Sequence, residues 1–180
     1  LGKSIQPRPA AHPGTSGIRT LPDGGDAFAA RMLLAQWAER SLDVQCYIWR
    51  NDRTGTLMFD ALRAAAERGV RVRLLLDDNN TVGLDAVLAA LDGRPNIEVR
   101  LFNPFAQRDW RVLGYLTDFA RLNRRMHNKS FTADSQATII GGRNVGDEYF
   151  DAAVGMVFVG LDVLAVGPVV QGVSADFARL

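Results

Sequence analysis

The stretch GTLMFDALRAAAERGVRVRLLL, residues 55–76, decides the fold class. Its first part, residues 55–68, is predicted to form a helix, and Gly69 is placed to end that helix as a C-cap. The apolar run at 70–76 that follows is typical of a strand. A helix that leads directly into an apolar strand is the repeating unit of an α/β protein.

The same alternation continues on both sides of this stretch. Upstream, Asp26 can cap a helix over 27–39, and LDVQCYIW at 42–49 predicts a strand. Downstream, 84–92 predict a short helix and IEVRLF at 97–102 predicts another strand. Strands that alternate with helices pair in parallel. We therefore expect a layered α/β/α domain with a mixed, largely parallel sheet and helices on both faces.

The ends of the chain differ from this pattern. Residues 1–25 are rich in Pro, Gly, Ser and Thr, which predicts an extended N-terminal arm before a single domain at 26–180. The aromatic and basic segment 103–121 lacks a clear period and is interpreted as a long functional loop. A further helix is expected to begin at 173. Three more strands are expected to adjoin the same sheet: 125–132, 136–141 and 161–166.

The composition narrows the function classes. The chain has 180 residues, of which 47% are hydrophobic, and a formal net charge of +1. This overall charge is too small to attract a polyanionic partner, so nucleic acid is disfavoured. A single cysteine, Cys46, excludes an intrachain disulfide. The sequence contains no tract typical of a transmembrane helix, and the chain as given carries no export signal.

The segment RRMHNKSFTADSQATIIGGRN, residues 124–144, carries the candidate chemistry. On the expected strand at 125–132, residues two apart share a face, so His127 and Lys129 should point the same way. An imidazole can attack an anionic phosphorus centre, and a neighbouring ammonium can neutralise the charge that develops there. The pair therefore predicts phosphoryl chemistry, which needs neither a metal nor a cofactor.

Residues behind this pair fit the same chemistry. Gly141 and Gly142 lack side chains where a backbone has to approach a ligand closely, and Asn144 supplies an amide donor. The acidic string DDNN at 77–80 suggests a metal site, but we expect none, because no cluster of histidine and carboxylate ligands accompanies it. Substrate phosphate is the expected ligand of the glycine pair.

Two carboxylates have open roles. Asp134 follows the candidate pair and is counted with the catalytic residues, although its place in the turn ADSQ favours a structural role. Asp162 is an isolated carboxylate in an apolar strand, where it needs a partner. It is the best candidate to orient the other nitrogen of His127, unless it lies at a strand end and faces water.

The string His127-x-Lys129, Asp134 and Gly141-Gly142-x-Asn144 resembles the signature of the phospholipase D superfamily at every fixed position. Many members carry Ser or Thr after the glycine pair, whereas this chain has Arg143, which can replace that hydroxyl as a bidentate phosphate binder. The likeness extends to bacterial cardiolipin synthases, in particular the amino-terminal half of the C type. It rests on LDVQCYIWRND, RGVRVRLLLDDNNTVGLD, IEVRLFNPF, RLNRRMHNKSFTAD, GGRNVGDEYF and LDVLAVGPVV.

The resemblance implies a phosphatidyltransferase that acts on phospholipid phosphodiesters through a phosphohistidine intermediate. Such enzymes carry two of these motifs, whereas this sequence carries one, since its other histidine, His12, lies in AAHPG. A second half, in the same polypeptide or in a homodimer, is therefore an expected partner. The implied location is bacterial, either peripheral at the inner membrane or cytoplasmic.

Several alternatives stay open at this point. The chain can be a phospholipase D-type phosphodiesterase or nuclease that is active as a homodimer, or an inactive fragment or binding module. Arg125, in the basic cluster 121–125, can bind substrate phosphate or lie at a solvated strand end. The loop 103–121 can contact a lipid surface or pack on the second half.

Overall fold

The computed structural model describes residues 14–105 and 122–179. Among them are seven strands: β1 Gly17–Leu21, β2 Ser41–Cys46, β3 Arg71–Asp77, β4 Ile97–Phe102, β5 Ser130–Ala133, β6 Ala137–Gly141 and β7 Asp162–Val166. The described helices are α1 Gly24–Trp37, α2 Arg53–Glu67, α3 Asp85–Asp92 and α4 Pro168–Phe177, with short 3-10 turns at Asp78–Asn80 and Asp147–Tyr149.

All seven strands form one mixed sheet in the order β1-β7-β6-β5-β2-β3-β4. This confirms that the three late strands adjoin the three early ones. The expectation of a largely parallel sheet was wrong, because only β2–β3 and β3–β4 pair in parallel. The four other neighbouring pairs are antiparallel. The reason is local: β5 and β6 are joined by a tight turn, and a short turn can only connect antiparallel strands.

The N-terminal segment is not an arm where the structure describes it. Residues 17–21 form the edge strand β1, which pairs antiparallel with β7, and α1 already begins at Gly24. Asp23 rather than Asp26 caps this helix, and its carboxylate accepts a hydrogen bond from the Asp26 backbone at 2.8 Å. Residues 1–13, with His12, lie outside the described part of the chain, as does most of the expected loop, at 106–121.

The helices cover both faces of the sheet, as expected. On β3, the alternating residues Leu74 and Leu75 point to opposite sides. Leu74 joins the main core, which also takes buried residues from α1, α2 and α3. Leu75 instead packs with Met126 and with Phe177 of α4. The α4 helix begins at Pro168, five residues before the predicted start at 173, because proline is well suited to the first turn of a helix.

Candidate active site

His127 and Lys129 lie together, although not for the predicted reason. The strand expected at 125–132 begins only at Ser130, so both residues belong to the irregular segment before β5. They line the same open cavity, of about 500 Å³. His127 is exposed, and the Lys129 ammonium donates a hydrogen bond to the His127 backbone carbonyl at 2.6 Å. The imidazole and the ammonium are therefore both accessible to a ligand in this cavity.

The cavity lies between the sheet and α4. Its remaining walls come from the irregular segment, from β2, β5 and β6, and from one face of α4. They are Asn128, Gln45, Ser130, Ile140, Gly141, Val169, Gly172, Val173 and Asp176. The site therefore combines a basic end at Lys129 with a wall from α4 that is apolar except for Asp176, an arrangement that can accept a molecule with a phosphate and an apolar part.

Tyr47 contacts both candidate groups, although no motif in the sequence marks it. Its ring stacks on the His127 imidazole with the centroids 4.0 Å apart and the planes at 28°. The Lys129 ammonium lies 5.4 Å from the centroid of the same ring. The available signal was its position directly after β2, because the carboxyl ends of strands are where α/β sheets place ligands.

Asp134 lies away from the cavity and closes the turn between β5 and β6. Its backbone has a left-handed φ of 56°, and its carboxylate accepts hydrogen bonds from the backbone of Glu39, Arg40 and Ser41. It stands at the opposite end of β5 from His127. This geometry agrees with the structural interpretation of Asp134 and corrects its place among the catalytic residues.

Asp162 does not orient His127 in this structure. Its fully buried carboxylate forms an ion pair with the Arg31 guanidinium at 2.9 Å and accepts a hydrogen bond from the Arg143 backbone at 3.2 Å. The expectation that it needs a partner was correct, but the partner is an arginine of α1. Burial lowers the pKa of Arg31, and the charge of Asp162 opposes that effect.

Arg143 is not available as a phosphate binder. Its guanidinium is buried, donates to the carbonyl of Leu21 at 2.9 Å and to that of Pro22, and lies 3.6 Å from the Asp162 carboxylate. These bonds connect the segment after β6 to the end of β1. The predicted substitution of Arg143 for a phosphate-binding hydroxyl was therefore wrong for this arrangement.

The glycine pair has two different environments. A Cβ on Gly141 would overlap the Asp162 carboxylate and would lie 2.5 Å from the Leu161 carbonyl, so glycine is required by the neighbouring strand. Around Gly142, the nearest such atom would be 3.8 Å away. Gly141 does line the cavity, but its lack of a side chain is explained by the packing of β6 on β7.

Asn144 connects the glycine segment to the segment that carries Tyr47. Its side-chain oxygen accepts a hydrogen bond from the Ile48 backbone at 3.1 Å. The Cys46 thiol lies beside it, and burial raises the pKa of that thiol to about 11, so Cys46 stays protonated at neutral pH. Asn144 is thus an anchor in this structure, and a contact to substrate through its amide stays a prediction.

Arg125 is likewise held by the protein itself. Its guanidinium lies 3.3 Å from the Asp77 carboxylate and over the Phe105 ring, 5.0 Å from the centroid. Asp77 also accepts a hydrogen bond from the Met126 backbone at 2.9 Å. The acidic string at 77–80 therefore anchors the segment that leads into His127. Within residues 14–105 and 122–179, no cluster of three or more His, Cys, Asp or Glu residues is arranged to hold a metal.

The environment of Lys129 affects its protonation. Partial burial lowers the pKa of its ammonium below the usual lysine value. The group thus loses its proton at a lower pH than an exposed lysine does, and in its protonated form it is a cation. Lys129 therefore offers a positive charge, close to His127, to an anionic ligand.

Comparison with known proteins identifies sequence relatives over nearly the whole chain. It is 60% identical over 179 residues to cardiolipin synthase C of Escherichia coli, a match that covers 99% of this chain and 38% of that protein. It is 30% identical to the major cardiolipin synthase ClsA of Bacillus subtilis, over 73% of this chain and 26% of that protein. The chain thus spans well under half the length of these relatives.

Solved structures share the fold at low sequence identity. NucT from Helicobacter pylori superposes with a TM-score of 0.67 at 16% identity, over 92% of this chain and 94% of that chain. The phosphatidylserine synthase of Haemophilus influenzae gives a TM-score of 0.65 at 15% identity, over 88% of this chain and 35% of that chain. Residues 33–180 match the family model described as cardiolipin synthase, PLD-like domain. The chain therefore belongs to the phospholipase D-like domain family of the cardiolipin synthases.

Proposed function

We propose that this chain is the His127-bearing half of a phosphatidyltransferase of the cardiolipin synthase type, which acts on phospholipid phosphodiesters. The observation that carries this proposal is the exposed His127 imidazole beside the Lys129 ammonium in one open cavity. The 60% identity to cardiolipin synthase C supports the choice of reaction.

The proposed reaction proceeds in two steps at phosphorus. In the first, an imidazole nitrogen of His127 attacks phosphorus, the bond from phosphorus to the head-group oxygen breaks, and its electron pair leaves with that oxygen. Lys129 stabilises the charge on the non-bridging oxygens. In the second, the hydroxyl of an acceptor lipid attacks the phosphohistidine, loses its proton and forms the new phosphodiester, which restores the imidazole.

The leaving oxygen needs a proton, and the histidines of the chain bear on the choice of its donor. The chain has two histidines, and His12 lies outside the described residues. General acid assistance typically contributes about 10²–10⁴-fold to such a step. We propose that a second motif, from another half or another copy of this chain, supplies the acid. His127 can also serve as the acid if the second motif supplies the nucleophile.

An exposed apolar segment supports the proposal that this domain contacts another surface. Residues 154–161 precede β7 and carry large apolar side chains that face solvent. They are Val154, Met156, Val157, Phe158, Val159 and Leu161. Contiguous exposed apolar surface marks sites of protein or membrane contact. The segment thus supports the proposed second half or a peripheral contact with the bacterial inner membrane. None of the helices in the described ranges has the length and apolarity needed to cross a bilayer.

The experiment uses the full-length protein that contains this chain, with vesicles of phosphatidylglycerol as the probe. Transfer of a phosphatidyl group between two such lipids produces cardiolipin and releases glycerol, whereas hydrolysis produces phosphatidic acid. Mass spectrometry distinguishes the two products. A parallel sample with single-stranded DNA tests the nuclease alternative.

Substitution of each histidine provides the matched control. His127→Ala is expected to lower turnover by at least about 10²-fold, because it removes the attacking or proton-donating group. His12→Ala is expected to retain turnover. Cleavage of DNA without turnover of lipid would favour the nuclease alternative, and full activity of His127→Ala would contradict the proposed role of this site.

A further inference from the structure

Tyr47 is fixed more firmly than the residue it contacts. It directly follows β2, and the next residues are bonded on both sides to the segment after β6. The Val145 amide donates to the Ile48 carbonyl at 3.0 Å, and the Arg50 amide donates to the Val145 carbonyl at 2.9 Å. These bonds form a short parallel bridge between Trp49 and Val145. Tyr47 therefore starts from a backbone that the sheet and this bridge hold in place.

The core anchors the same segment. The Trp49 side chain is buried, stacks on Phe59 with the centroids 4.4 Å apart, and donates to the Gly55 carbonyl at 3.3 Å. His127, in contrast, lies in an irregular and exposed segment, where the backbone alone leaves the imidazole free to rotate. Contact with the Tyr47 ring, which extends from this anchored backbone, is then the main restraint on the plane of the imidazole that the structure shows.

We propose that Tyr47 is a positioning residue for His127. The Tyr47 ring sets the plane of the His127 imidazole and the side from which the Lys129 ammonium approaches it. This role rests on the proposed function, in which the His127 imidazole reacts with a phosphodiester. The face of the Tyr47 ring attracts the Lys129 ammonium, since cations are drawn to the electron-rich face of an aromatic ring. One side chain thus orients both groups before substrate binds.

Such a residue affects the chemical step more than binding. An imidazole that rotates freely spends less time in the attacking orientation, which lowers kcat, whereas substrate affinity depends on other contacts. The interaction energy of such an aromatic pair corresponds to a loss of about 2- to 10-fold in rate when the ring is removed. The hydroxyl of Tyr47 is not needed for this effect, so phenylalanine should replace tyrosine.

The test compares Tyr47→Leu, which removes the ring, with Tyr47→Phe, which keeps it, in the full-length protein. Two quantities are measured: kcat and KM with phosphatidylglycerol vesicles, and the Cε1–H NMR resonance of His127 in protein with ¹³C-labelled histidine. The resonance is assigned by its absence in His127→Gln. A stacked ring displaces this resonance upfield, so the spectrum reports the contact independently of activity. If Tyr47→Leu does not fold, Tyr47→Met is the second ring-free variant.

The expected result is a pair of linked changes. The ring-free variant loses the upfield displacement, and its kcat falls about 2- to 10-fold with KM nearly unchanged. Tyr47→Phe retains both the displacement and the wild-type kcat. A ring-free variant with wild-type kcat, or with an unmoved resonance, overturns the proposal. If the wild-type protein does not turn over phospholipid, the proposed function fails. The resonance then decides alone: a displacement lost without the ring supports the orienting contact, and an unmoved resonance overturns it.

Discussion

Replacement of Asp134 by alanine tests whether the carboxylate of the motif supports the framework or the chemistry. Its oxygens accept hydrogen bonds from three consecutive backbone amides, at 3.1 Å from Glu39, 2.7 Å from Arg40 and 2.9 Å from Ser41. Glu39 and Arg40 lie between α1 and β2 and Ser41 is the first residue of β2, whereas Asp134 lies between β5 and β6. The side chain therefore joins two connections that are 93–95 residues apart in sequence.

The expected cost follows from these bonds and from the backbone. A hydrogen bond to a charged group is worth about 1.5–3 kcal/mol, and bonds that share one acceptor group are not additive. Water can reach part of the freed amides, so we expect the loss of all three to cost about 3–4 kcal/mol. Alanine at a left-handed φ of 56° adds about 1 kcal/mol. The total, about 4–5 kcal/mol, is a large part of the stability of an ordinary domain.

Asp134→Asn is the matched control. It keeps one acceptor oxygen and tolerates the left-handed backbone, so we expect a cost of only about 1–2 kcal/mol. Urea unfolding of the full-length protein and its variants measures both, as shifts in the midpoint at a constant slope. An alanine variant within about 1 kcal/mol of wild type would refute the framework role. A folded and stable Asn variant that loses turnover by 10²-fold or more would show instead that the carboxylate acts in the reaction.

Three further predictions concern other parts of the same region. Gly141→Ala should destabilise the protein by about 1–3 kcal/mol, because the added Cβ would overlap the adjacent strand. Gly142→Ala should be tolerated, and equal thermal midpoints for the two variants would contradict this difference. Because burial lowers the pKa of Lys129, turnover should decrease at an alkaline pH below the range in which lysine usually loses its proton. Lys129→Arg should move that decrease to higher pH. Turnover that stays constant from neutral pH to the usual lysine range would be inconsistent with a required ammonium. Asp77→Asn should cost about 1–3 kcal/mol in urea unfolding, because it removes the charge from a fully buried carboxylate that bonds the Arg125 guanidinium and the Met126 backbone; a cost near zero would show that these bonds do not hold the segment before His127.

The sequence predicted the layered architecture, but it did not predict the edge strand β1 or the antiparallel pairing of half of the sheet. The helix-to-strand stretch at 55–76 corresponds to α2 and β3 within two residues, because its apolar pattern is long and regular. Strand β1 was missed because four of its five residues are exposed, so that no apolar alternation marks it. The antiparallel half of the sheet was underestimated, although the short turn at Asp134 already excludes a parallel connection.

The sequence predicted which two groups meet at the cavity, but it did not predict the partners of the other motif residues. The spacing of His127 and Lys129 brought them to one cavity even though their segment is not a strand. The partners of Asp162 and Arg143 could not be predicted, since both are set by long-range packing against α1 and the end of β1. The contact of Tyr47 with His127 joins residues 80 positions apart, so that only the position of Tyr47 directly after β2 marks it in the sequence.

The structure divides the fixed positions of the motif into two groups with different physical roles. Asp134 and Gly141 make contacts that hold the sheet and its connections together, and Asn144 anchors the segment that carries Tyr47. His127 and Lys129 face the cavity. A match at the first group therefore indicates that a chain folds in this way, whatever it does, because these residues satisfy buried backbone groups and close packing. The second group bears on the proposed phosphoryl transfer, in which a contact of the Asn144 amide with substrate also stays a prediction. A variant in which His127 and Lys129 are both replaced, with the framework positions intact, should thus unfold like the wild type and lack its turnover, and coupled loss of stability and turnover would show that the two groups cannot be separated.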